Sequence, residues 1–181
     1  MTLPSAEQLQ RLPLRAVAAY AARAARRVQP AVHGFIDDDI IEGAVSIVET
    51  IASAHFLECV DPASVPLAAS RVAAAAADAP RIPEVHLALM AILRALDTAI
   101  EVLGTIEAPN RSRYYAGRAA QKAERVARAA ADVFDKSAAA AADAAARTDY
   151  DSLVKIFGEH DDVLLGDPID LSESSPLGPV A

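Results

Sequence analysis

Apolar residues along this chain recur at intervals of three and four. Val17, Tyr20, Ala21, Ala24 and Val28 fall on one side of a helical wheel. Ile40, Ile41, Ala44, Ile47, Val48, Ile51 and His55 repeat the rhythm, and the run 85–106 is apolar over most of its length. No sustained alternation of the kind a half-buried strand needs is present. The pattern predicts an all-α protein, a bundle of about five or six helices.

Punctuation in the sequence places the helix ends. Ser5 with Gln8 three residues on is a capping-box pattern. Pro13 opens the next helix, which ends before Pro30. Asp37, Asp38 and Asp39 open a helix that runs to about Val60, where negative charge complements the helix dipole. Asp61-Pro62 starts an alanine-rich helix to about Ala79. Pro83 begins a fourth, to about Ile106, expected at the centre of the core. From Arg118 to Phe157 there is neither Gly nor Pro. Glu124/Arg128, Asp132/Lys136 and Asp143/Arg147 are acid-to-base pairs one turn apart. The segment 111–147 therefore reads as one long helix of roughly 55 Å. Asp149 is expected to cap a last short helix that Gly158 ends. Residues 1–158 form a single helical domain, and 159–181 an acidic Pro/Gly/Ser-containing strap or tail. Leu164, Leu165, Ile169, Leu171 and Leu177 suit the strap to lie across the bundle or across a partner.

Composition sharpens this picture. Aromatics make up 4% of the 181 residues and Trp is absent, so alanine and aliphatics must fill the core by close helix approach. The single cysteine, Cys59, excludes an internal disulfide. His86, Arg94, Asp97 and Glu101 inside the most apolar run argue against a membrane span. The opening residues lack a secretory pattern, and the expected setting is a bacterial-type cytoplasm.

Charge is segregated. Residues 8–36 carry five bases and no acid, 37–106 eleven acids and three bases, 108–136 seven bases and three acids, and 137–181 nine acids and two bases. One explanation has helices of opposite sign packed beside each other, with like charges opposing wrong pairings. The other makes Arg11, Arg15, Arg23, Arg26 and Arg27 a partner-binding face, suited to bidentate grip on carboxylate or phosphate. The partner is then another protein or the acidic strap of a second copy. Nucleic acid fits poorly with a net charge of -8 and few aromatics for stacking.

Candidate chemistry is sparse. His55 and Cys59, one turn apart, are the alternative as metal ligands, although His55 also continues an apolar stripe. Arg81 and His86, with four residues between them, and Arg27 and His33, with five, resemble the Arg-to-His active-site motif of HEPN ribonucleases, which are all-helical bundles. That resemblance implies a His acting on RNA and an Arg holding phosphate. A proline interrupts both copies here, and Ile82 and Val28 stand where the family has a polar residue. There is no Gly-rich phosphate loop, no Gly-x-Ser-x-Gly elbow and no His-Glu-x-x-His, so no cofactor is expected. The reading that results is a non-enzymatic protein-binding module of immunity, adaptor or assembly type, able to self-associate, with a HEPN-like ribonuclease as the alternative.

Overall fold

The computed structural model describes residues 2–54, 60–134, 136–172, 177 and 180, with the side chains of 136 and 137 excepted. Its α-helices among these residues are α1 (Ala6–Gln10), α2 (Leu14–Val28), α3 (Asp38–Ser53), α4 (Ser64–Asp78), α5 (Pro83–Glu107), α6 (Ser112–Asp132) and α7 (Lys136–Phe157). An isolated bridge between His33 and Ile36 is the one β-type pairing among the described residues. The chain is an all-α helical bundle.

The helix starts follow the local chemistry. Ser5 Oγ accepts from the Gln8 amide while the Gln8 side chain accepts from the Ser5 amide, a reciprocal cap. Asp37 caps α3 through the Asp39 amide, with Asp38 and Asp39 in its first turn. Pro83 sits in the first turn of α5, where no intrahelical bond is lost. Gly158 ends α7 with φ +74, a conformation that side chains with a Cβ rarely adopt.

The fourth helix, α5, which hydropathy places at the centre, packs against α2, α3, α4 and α6, and it shares that centre with α2, the more completely buried of the two. α2 packs against α3, α5, α6 and α7, and every residue from Leu14 to Ala25 is buried. Seven of its fifteen residues are alanine, so neighbours close in on all sides. The long apolar α5 lies beside it and lines up with α6. At Gly104 the two come so near that a Cβ would meet the Tyr115 ring at 3.1 Å.

The single helix expected over 111–147 is instead two. α6 stops at Asp132, Val133 caps it, and α7 runs to Phe157. Local propensity favours continuity, since no Gly or Pro intervenes. Packing decides otherwise: the apolar face of α6 (Ala119, Ala123, Val126, Ala130) and that of α7 (Ala146, Tyr150, Leu153) are both buried in one core. A straight rod would carry one of them out into solvent. Asp149 is accordingly inside α7, not a cap.

Beyond Gly158 the strap crosses the bundle. Leu164 and Leu165 accept from the amides of Leu14 and Arg15, Ile169 donates to Ala52, and Ile169 and Leu177 are buried.

Candidate functional site

The arginines of α2 are turned inward. Arg15 and Arg23 are each 3% exposed, so the expectation of an outward face carrying Arg15, Arg23 and Arg26 does not hold. Arg23 Nε donates to Asp149 Oδ1 at 2.8 Å, and Arg27 Nη2 donates to Asp149 Oδ2 at 2.5 Å. Asp149 is itself 3% exposed. One buried carboxylate thus holds two guanidinium groups, and Arg23 Nη2 also reaches the Leu177 carbonyl at 3.2 Å. Beside them Tyr20 is fully buried, and its hydroxyl has no hydrogen-bond partner among the described residues. Burial, and then the Asp149 charge, push that hydroxyl well above the ordinary phenol range. Desolvation lowers the Arg15 guanidinium, and the nearby Asp167 charge partly offsets it.

Arg26 faces the rim, where Glu49 and Glu42 each take a pair of its N–H groups. Those bonds, Glu49's first, raise its already high pKa. In turn Arg26, helped by Gln29, draws the Glu42 carboxyl down to about 2. Arg11 is exposed, with Glu159 3.8 Å away. The first basic block is therefore answered from within the chain, by α3, by α7 and by the segment that follows α7.

The second basic block stays outside. Arg111, Arg113, Tyr114, Arg118, Gln121, Arg125 and Arg128 are exposed on or beside α6. Tyr114, Arg118, Gln121, Arg125 and Arg128 recur at helical intervals and form one row. Underneath, Glu101 of α5 is buried and holds Arg118 at 2.8 Å and Lys122 at 3.0 Å. Asp97 adds a contact to Lys122 at 3.4 Å. Arg118 also donates to the Tyr114 hydroxyl at 2.9 Å and lies 5.5 Å from that ring's centre. The Tyr114 bond, and then Glu101, raise the Arg118 pKa. A shallow groove of about 470 Å³ runs along this row past Gly117 and Lys122. Arg125 has no ion pair among the described residues.

The other sequence candidates are dispersed. Arg27 is committed to Asp149, while His33 is exposed and bonded to Asp38 at 3.0 Å. Arg81 and His86 are both exposed, the first before α5 and the second in its opening turn. His55 and Cys59 lie outside the described residues. Among the described residues no group of three or more His, Cys, Asp or Glu side chains is arranged to hold a metal ion. No helix among them is long and apolar enough to cross a membrane.

Fold and surface together define a helical bundle with a buried ionic centre and an exposed basic row. No protein family, curated protein or solved structure matches the chain.

Proposed function

We propose that this chain is a non-enzymatic, cytoplasmic helical module of immunity, adaptor or assembly type, and that it binds an acidic protein partner through the exposed row of α6. The observation that supports the reading is the way Glu101 supports that row. A carboxylate buried beneath Arg118 and Lys122 holds both cations in position before any partner arrives. Pre-set side chains lose less rotamer freedom on binding. Tyr and Arg, the residue types that anchor protein interfaces, stand side by side at Tyr114 and Arg118. Charge complementarity then selects an acidic surface and speeds encounter.

The test is affinity capture from the native host, with bound protein and nucleic acid identified separately. Wild-type chain is expected to retain an acidic protein whose binding weakens as salt rises. Arg118→Gln, which can still donate to Glu101, with Arg125→Glu is expected to lose that protein while the helical circular dichroism spectrum stays unchanged. Retention of the same protein by the folded double variant would exclude this surface. Nuclease-sensitive nucleic acid as the bound species would count against the reading altogether.

A further inference from the structure

The seam between α5 and α6 is built as a ladder. Gly104 meets Tyr115, Glu101 holds Arg118, Asp97 meets Lys122, and about one turn further along α5 Arg94 reaches Arg125. As numbers fall on α5 they rise on α6, so the two helices run antiparallel. On the Glu101 and Asp97 rungs an acid of α5 faces a base of α6. On the next rung both residues are arginine. Arg94 Nη1 donates to the Arg125 main-chain carbonyl at 3.3 Å, which lays its guanidinium against α6 at the root of the Arg125 side chain.

The charges along this stretch do not cancel. Glu101 and Asp97 balance Arg118 and Lys122, and Glu124 balances Arg128 at 2.8 Å. Among the described residues neither Arg94 nor Arg125 has an ion pair. The excess positive charge is therefore concentrated on their rung. Two guanidinium groups sharing a rung repel each other, so the pair works against the seam in the free chain. A bound anion would turn that repulsion into attraction. Access is open: Arg125 is exposed and lines the groove of the α6 row with Gln121 and Lys122.

The occupant must answer two cations and offer oxygens to two planar forks. A carboxylate brings one charge and two oxygens, which a single guanidinium fills. A phosphate monoester carries about −1.5 to −2 at neutral pH, on three acceptor oxygens. We propose that the Arg94–Arg125 rung is a binding site for a phosphorylated side chain of the acidic protein partner, an inference that rests on the proposed function. It adds Arg94 of α5 to a surface otherwise drawn from α6.

The experiment titrates full-length chain with a short Glu-rich peptide carrying one phosphoserine, with the same peptide carrying Glu there, and with inorganic phosphate, all at constant ionic strength and read by calorimetry. The phosphopeptide is expected to bind about tenfold tighter than its Glu counterpart, or more. Arg94→Gln and Arg125→Gln should each abolish that advantage, Arg94→Lys should keep part of it, and Arg71→Gln on α4 should keep all of it. Arg94→Gln should also unfold at the same temperature as wild type or higher, since it relieves the repulsion. Equal binding of the two peptides overturns the proposal, as does a phosphopeptide affinity unchanged by Arg94→Gln. A lower unfolding temperature for Arg94→Gln overturns it by making the rung a structural support. Inorganic phosphate bound as tightly as the phosphopeptide overturns it by making free phosphate the ligand. In the capture experiment above, phosphatase should release the retained protein. An acidic protein that stays bound through phosphatase treatment sinks the phosphate site and leaves the acidic-partner reading standing. Capture of no acidic protein removes both.

Discussion

Asp149 is the residue on which the interior turns. It pairs with both Arg23 and Arg27 in a site where all three side chains are 5% exposed or less. Removing one partner from such a group leaves buried charge without compensation, at a cost of about 3–5 kcal/mol. Asp149→Asn is expected to lose that much in urea unfolding, far more than an exposed Asp151→Asn. Glu42 works at the rim, and there pH is the control. Its folded-state pKa, about 2, lies below the ordinary 4.5, so its contribution is complete above that ordinary value. The contribution is lost as pH falls from about 4.5 towards 2, because the unfolded chain then takes up the proton first. Glu42→Gln should flatten the stability profile over that interval, and thermal unfolding at several pH values will measure it. The partner of Asp149 lies 126 residues away, so no neighbouring pattern announced it. A signal was nonetheless present: Ala146, Asp149, Tyr150 and Leu153 form a single inward stripe with one acid in it.

At the level of helices, what could be read was what neighbours in sequence decide. The capping box at Ser5, the acidic start of α3, the proline start of α5 and the glycine end of α7 were all visible, because each depends on three or four adjacent residues. The break between α6 and α7 was not visible, because it answers to a core assembled from distant segments. The same reason hid how completely α2 is buried. Hydropathy ranks α2 low for its four arginines, whereas its seven alanines let neighbouring helices approach closely. That has a measurable consequence. Ala22 is fully buried in α2, and Ala22→Leu inserts a larger side chain where the surrounding helices leave no room. Overpacking of this kind is expected to cost about 1–3 kcal/mol. The same substitution at exposed Ala73 of α4 should be nearly neutral in chemical denaturation.

For the molecule as a whole, the alternating charge blocks act as a register. The first basic block meets α3 through Arg26 with Glu42 and Glu49, and α7 through Arg23 and Arg27 with Asp149. The second basic block meets α5 through Arg118 and Lys122. The order plus, minus, plus, minus was legible from the sequence, but which plus turned inward was not. Arg15 and Arg23 had to follow α2 into the core, whereas the α6 arginines border only one face of it. If the blocks set the register, sign should matter more than identity. Lys122→Glu places a third acid against Glu101 and Asp97 and should destabilise the fold. Adding Glu101→Lys rebuilds an ion pair of opposite sense in the same place. A double-mutant cycle on urea unfolding is therefore expected to show favourable coupling of about 1 kcal/mol or more. Additive losses would mean that these charges serve hydration alone, and that α5 and α6 find each other through their apolar faces.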